Sequence, residues 1–342
     1  MIEIRDQVSP ETKFKIASGI NMLSFGPVPS RRLGKSLGIN NIPAKTCTYS
    51  CIYCQVGKTT EITPGRREYY KPEDIFGDVQ ELVTKVKKHG EIIDYFSFVP
   101  NGEPTLDINI GHEIDLLKLL DHKIAVITNG SLIDSKKVQD DLMRADYVSL
   151  KIDTTNVESW KKINRPHKSF NLEAILEGML DFSSSFKGIL STETMLIDGI
   201  NTAPSQIQDV ASFIFNLNPY RAYLAVPTRP TAEKMVRIPD ESTINHAFQI
   251  MNETIDSVEC LIDYEGDDIG YSGDIENDLL NITAVHPLKL ESIKKLLKKG
   301  DANWETIEQL LIQKRLREVE YAGSKFYIRS LANSVVKKAR ND

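Results

Sequence analysis

Cysteine is scarce in this chain: four among 342 residues, three of them between positions 47 and 54. Thiols bunched in this way cannot staple a fold together, which excludes a disulfide framework and points to a reducing compartment, the cytoplasm. Long apolar runs are missing too. None approaches the roughly 20 residues of a membrane-spanning helix, so no membrane partner is expected. The opening Met-Ile-Glu-Ile-Arg-Asp lacks a basic segment leading into an apolar one, and so gives no support for a secretory leader. With 41% apolar and 26% charged residues the composition is that of an ordinary globular protein, long enough for a main domain and a small one.

Positive charge is in short supply over most of the chain and gathered at its end. Residues 286–342 carry 13 Lys and Arg against 7 Asp and Glu, whereas the residues before them carry 29 against 41. A basic tail on an acidic body reads as a C-terminal interaction module or as a solvated helical surface.

What is present centres on Cys47-Thr-Tyr-Ser-Cys51-Ile-Tyr53-Cys54. Thiolates spaced this way on one loop can converge on a single small object. Structural zinc wants a closed set of four Cys or His ligands, and the nearest further candidates, His89 and Cys260, are remote in sequence. An iron–sulfur cluster held by three cysteines leaves one iron open to a ligand from outside the protein, which is a reactive arrangement. Buried thiols can also serve as small apolar side chains.

Strand-like stretches at 36–42, 95–99, 124–128, 147–152, 189–196 and 222–226 alternate with helix-length segments at 110–120, 135–143, 171–182 and 205–215. A further helix opens near Pro72 and stops at Gly90. Such alternation means parallel strands and right-handed crossovers. Six β/α units fall short of the eight that close a TIM barrel, and periodicity alone leaves a doubly wound sheet open. Either architecture places functional residues where strands end. Those ends hold Asn101-Gly102-Glu103-Pro104, Thr128-Asn129-Gly130-Ser131 and the Pro227–Pro230 loop with Arg229. Val148, Leu150 and Ile152 read as facing helices, which turns Ser149, Lys151 and Asp153 inward. Glu193 points inward on its own strand. Arg31 and Arg32, in a Pro/Gly-rich loop over 25–34, join Arg165, His167 and Arg229 as rim groups suited to a carboxylate or phosphate.

The cysteine spacing, with Tyr53 before the last thiol, resembles the signature of the radical S-adenosylmethionine (SAM) superfamily. Gly102-Glu103-Pro104 matches that family's Gly-Gly-Glu-Pro element, with Asn101 in place of the first glycine. The resemblance implies a partial (β/α)6 TIM-like barrel. It also implies a [4Fe–4S] cluster on Cys47, Cys51 and Cys54, with SAM on the open iron. Contacts to SAM would come from Tyr53, Asn101, Gly102, Glu103, Pro104, Asn129, Ser131, Ser149, Lys151 and Asp153, and Glu193 would position substrate or SAM. Reductive cleavage to methionine and a 5'-deoxyadenosyl radical would draw its electron from a protein such as a ferredoxin or flavodoxin. Pro29-Ser-Arg-Arg-Leu-Gly, Ile163-Asn-Arg-Pro-His and Pro227-Thr-Arg-Pro look like the group around the tRNA wyosine-base (4-demethylwyosine) synthase. No cysteine precedes Cys47, so that enzyme's second cluster and its reaction are not implied.

Toward the end, helices at 288–298 and 303–316 and a hairpin at 317–329 around Gly323 resemble a winged-helix module. The acidic stretch Asp263–Asp278 lacks EF-hand spacing and reads as a solvated cap, and Cys260 as a buried apolar residue. The expected division is an N-terminal extension over 1–24, the barrel over 25–240, an accessory helix and acidic segment over 241–285, and the winged-helix-like domain over 286–342. The substrate is expected to be RNA or a peptide or protein, with a small molecule as third choice. The non-enzymatic alternative is a zinc-binding regulator with a nucleic-acid-binding winged tail.

Overall fold

The computed structural model describes residues 23–262 and 266–330. The expected N-terminal extension and the last residues of the tail thus lie almost wholly outside the described residues. In chain order the barrel strands are β1 (Ser24–Ser30), β2 (Gly34–Ile39), the two-residue β3 (Thr46–Cys47) and β4 (Glu61–Ile62), β5 (Tyr95–Phe98), β6 (Lys123–Thr128), β7 (Tyr147–Lys151), β8 (Ile189–Met195), β9 (Arg221–Ala225) and β10 (Val258–Leu261). Helices α1 (Pro72–Lys88), α2 (Ile110–Lys118), α3 (Lys136–Leu142), α4 (Val157–Asn164), α5 (Leu172–Ser185), α6 (Pro204–Leu217) and α7 (Glu241–Asn252) lie between them. One curled sheet runs in the order β1-β2-β5-β6-β7-β8-β9-β10. Its β2–β10 neighbours are parallel.

The six expected strands are therefore β2 and β5 to β9, and the architecture is a partial TIM-like barrel. Two further strands of this eight-stranded sheet were not expected. The stretch read as a Pro/Gly-rich loop forms β1, antiparallel to β2 with a register break between Phe25 and Val28. Pro27 and Pro29 are tolerated because β1 is an edge strand, where missing N–H donors face no neighbour. At the opposite edge β10 carries Cys260, half-buried.

The division of faces follows strand alternation. Val148, Leu150 and Ile152 join the main core with Ile75, Val79 and Val86 of α1. Tyr147, two residues before Ser149, sits instead in a separate cluster with Leu33 and Ala125.

Beyond β10 come α8 (Ile275–Val285), β11 (Leu288–Lys289), α9 (Leu290–Lys299), α10 (Glu305–Ile312), β12 (Leu316–Tyr321) and β13 (Ser324–Arg329). Helix, helix and hairpin thus follow in the order read from the sequence, and β11 extends the hairpin to three strands. Ala322 and Gly323 both take positive φ, 48° and 72°, as a tight two-residue hairpin turn requires. The acidic segment is not a solvated cap in its second half. There Asp274 caps α8, whose Ile275, Leu279, Leu280 and Ile282 pack in one core with Phe25 and Val28 of β1. Its acids meet the basic tail: Lys295 pairs with Asp267, Lys299 with Asp268 and also with Glu91 from the loop before β5, and Arg315 with Glu276. The charge asymmetry is thus partly used within the molecule. Among the described residues no helix is long and apolar enough to cross a membrane.

Two buried carboxyls underlie the barrel's upper rim. Burial pushes Asp107 up to about 7 and Glu113 well above the usual carboxylate range, the charge of Asp107 adding to the latter. One oxygen of each has no hydrogen-bond partner. Groups raised in the fold contribute stability that is complete below their unfolded value, 3.8 for Asp107, and lost as pH rises through about 7. Urea unfolding across that window should show falling stability, and Asp107→Asn should flatten the fall. An unchanged slope in the variant would contradict this assignment.

Candidate active site

The loop after β2 carries the three cysteines and is fastened to the loop after β5 by main-chain contacts. Lys45 N donates to Asn101 O at 2.7 Å and Glu103 N to Thr46 O at 3.3 Å. At Gly102 any side chain is excluded, because a Cβ would lie 1.8 Å from Thr46 O. Glu103 then ties this pair to the loop after β6. Its buried carboxylate accepts from Thr105 N (3.0 Å), Thr105 Oγ1 (2.6 Å), Thr128 Oγ1 (2.6 Å) and Asn129 N (2.8 Å). Burial raises its pKa, against the pull of those donors. Glu103 is therefore engaged with the chain itself and shapes the loops that Asn129 and the cysteines stand on. Pro104 opens a single 3-10 turn, and its carbonyl accepts from Asn41 Nδ2 at 3.1 Å.

Each of two sulfurs faces an amide. Asn129 Nδ2 donates to Cys47 Sγ at 3.6 Å and Asn164 Nδ2 to Cys51 Sγ at 3.5 Å. Asn129 Nδ2 also reaches Thr48 Oγ1 at 2.8 Å, and Ser131 Oγ donates to the same hydroxyl at 2.7 Å. Burial pushes the Cys51 thiol up to about 12 and Cys47 well above its ordinary value, with neighbouring thiolates adding to both shifts. Cys54 is raised by burial as well. Three interior thiols whose ionisation burial opposes make a set that bound positive charge would relieve, which is what an iron–sulfur cluster supplies. No group of three or more His, Cys, Asp or Glu among the described residues forms a site for a single metal ion. Zinc-bound thiolates would stand about 3.8 Å apart, as tetrahedral bonds of about 2.3 Å require. Cluster cysteines each take a different iron and are set wider.

The inward faces of β7 and β8 supply charge. Lys151 and Glu193 are register partners, and Lys151 Nζ donates to Glu193 Oε1 at 2.5 Å. Arg32, from the turn between β1 and β2, donates to the other oxygen. Burial alone would push Glu193 up, but Lys151 and Arg32, with a smaller part from Arg229, hold its carboxyl at about 2. Burial works against the Lys151 ammonium, yet Glu193 and Asp153 keep its pKa raised. The same ammonium lies 4.8 Å from the centre of the Tyr53 ring. Tyr53 Oη donates to Asp153 Oδ2 at 2.5 Å, and that oxygen also accepts from Asn164 at 2.7 Å. Asp153 Oδ1 accepts from Met195 N at 3.0 Å. Ser149 is buried below this set, opposite Ser191. A cavity lined by Asn129, Lys151, Asp153 and Asn164 together with the apolar Trp160, Leu172, Ile175 and Met179 holds about 20 Å³, room for one water.

The rim candidates divide. Arg32 donates to Glu193 and Arg229 to Gln55 Oε1 at 3.1 Å, whereas Arg31 reaches Cys260 O at 3.3 Å and Arg165 pairs with Glu233 at 2.6 Å on an exposed surface. His167 turns to its neighbour Ser169, 2.9 Å away. Sequence reasoning missed Asn164, which bridges Cys51, Tyr53 and Asp153 from the end of α4. The only signal for it was its place before the Arg-Pro-His run. His286, buried against Arg229, was missed as well.

Residues 41–214 match the family model described as the radical SAM superfamily. The UPF0026 protein MJ1312 of Methanocaldococcus jannaschii is 45% identical over 311 residues, covering 90% of this chain and 96% of that protein. A structure of TYW1 with a lysine-pyruvate adduct bound is 16% identical with a TM-score of 0.51, covering 66% of this chain and 76% of that one. A radical SAM methyltransferase from Sphaerobacter thermophilus is 13% identical at the same TM-score, covering 75% and 82%. At these identities the two structures show a shared fold.

Glu193→Gln would remove the carboxylate that Arg32 and Lys151 share, leaving Lys151 only the more distant Asp153. It should cost about 3 kcal/mol of unfolding free energy, read as a lower urea midpoint. A loss under about 1 kcal/mol would mean that the ion group is solvated.

Proposed function

The chain belongs to the radical SAM superfamily, and from that premise we propose that it binds a [4Fe–4S] cluster through Cys47, Cys51 and Cys54 and cleaves SAM to open a radical reaction. The observation that carries this reading is the fastening of the cysteine loop to Gly102 and Glu103, with no space for a side chain at position 102. When bound, the cluster would supply the electron that splits the sulfonium, giving methionine and a 5'-deoxyadenosyl radical that removes a hydrogen atom from substrate.

The chain's own residues hold, orient and shield. Asn129 and Asn164 direct amide hydrogens at Cys47 and Cys51, which favours the thiolate form of both ligands. Asp153, fixed by Tyr53, Asn164 and the Met195 amide, offers an anchored carboxylate at the end of β7 for a ribose hydroxyl. Glu193 at about 2 and the raised Lys151 keep fixed charges through the neutral range. Neither is poised to exchange a proton, and abstraction of a hydrogen atom requires no such group. Arg32, Lys151 and Arg229 outnumber Glu193, which suits a substrate bearing an anionic group. A one-electron donor such as a ferredoxin or flavodoxin would complete the system. Pairing of Lys295, Lys299 and Arg315 with the protein's own acids weighs against an RNA backbone as the tail's main partner.

Anaerobic reconstitution followed by dithionite and SAM should yield 5'-deoxyadenosine and about four irons per chain. Cys51→Ala should abolish the first and sharply lower the second. Iron-free protein with one zinc per chain would overturn the proposal in favour of the zinc-binding regulator.

A further inference from the structure

The carboxyl end of α8 meets three different active-site loops. Asn101 Nδ2 donates to Ala284 O at 3.2 Å, Gln55 Nε2 to Val285 O at 3.1 Å, and Arg229 Nη2 lies 3.1 Å from His286 Nε2. Beside them Tyr321 Oη, from the hairpin, donates to Pro227 O at 2.9 Å. A guanidinium can only donate, so His286 Nε2 accepts and the ring proton sits on Nδ1. Burial, followed by Arg229, keeps that imidazole neutral. The last carbonyls of a helix have no partners inside it. Here the barrel's own side-chain amides satisfy two of them.

Asn101 is the member of this group that faces both ways. It is 4% exposed, its Nδ2 is committed to α8, and its Oδ1 has no hydrogen-bond partner. A buried amide oxygen left in this state favours any ligand that brings a donor. The end of α8 is held to those loops mainly by side-chain hydrogen bonds.

We infer that the carboxyl end of α8 is a cover over the active site that closes on bound SAM, with Asn101 as the positioning residue joining the two. The inference rests on the proposed cofactor reading in one respect, that Asn101 contacts SAM. A hydrogen-bond donor of SAM arriving there supplies what Oδ1 lacks, fixes the amide plane and thereby tightens Nδ2 on Ala284.

Hydrogen exchange followed by mass spectrometry on the reconstituted full chain tests this. SAM should slow exchange over residues 280–286 by about tenfold. With SAM held at saturation, as equilibrium dialysis shows for each protein, Asn101→Gly should lose that slowing, while β6 and β7 exchange as before. Equal slowing in the variant, or none in the unaltered protein with SAM shown to be bound, would overturn the inference. If dialysis shows no SAM binding, the cofactor reading fails, and the cover is judged on the metal-free chain alone. There Asn101→Gly and Gln55→Ala should each speed exchange over 280–286 several-fold with β6 and β7 unchanged, and unaltered exchange would overturn it.

Discussion

A carboxylate removed from water must have its charge answered by the protein, and at Glu103 this requirement organises the barrel's upper end. Its four accepted hydrogen bonds come from the loop it stands on and from the loop after β6. The same residue's amide joins Thr46, so the cysteine loop, the Gly-Glu-Pro loop and the Asn129 loop take one arrangement together. Gly102 is the steric counterpart of this arrangement, since the approach of Thr46 O leaves no room for a Cβ. Asn129, placed by Glu103, then reaches Cys47. Loops from separate strands thus behave as one rigid piece, which a site for an unstable intermediate requires.

Below that piece the interior is charged but not labile. Glu193 faces Lys151 across β7 and β8, and Arg32 closes on it from the β1–β2 turn. The result is a fixed electrostatic floor that can orient a polar ligand without taking part in proton transfer. Burial with full pairing makes this affordable in free energy, whereas removal of one partner would leave a charge in a place that water barely reaches.

The parts legible in the sequence were those in which chemistry follows from residue type and spacing. Three thiols in one loop, a Gly-Glu-Pro run at a strand end, and alternation that turned Lys151 and Asp153 inward all led to residues that meet in space. Strand β1 was hidden because Pro27 and Pro29 read as loop residues, and only the edge position, a property of the whole sheet, makes them acceptable. Asn164 was hidden because its role depends on Cys51 and Asp153 approaching it from other segments. The end of α8 was hidden for a deeper reason. It contributes backbone carbonyls at Ala284 and Val285, and a carbonyl is common to every residue. The basic tail was read from its charge, but the acids that answer part of it lie at Glu91, Asp267, Asp268 and Glu276, which only the fold brings to it.

These features converge on the proposal that Cys47, Cys51 and Cys54 would hold three irons of a four-iron cluster and leave the fourth to SAM. Mössbauer spectroscopy of 57Fe-reconstituted protein tests it most directly, by resolving the irons before and after SAM is added. The account predicts three sites that stay as they were and one whose parameters shift when SAM binds. Four unaffected sites, or a protein that takes up zinc in place of iron, would contradict it.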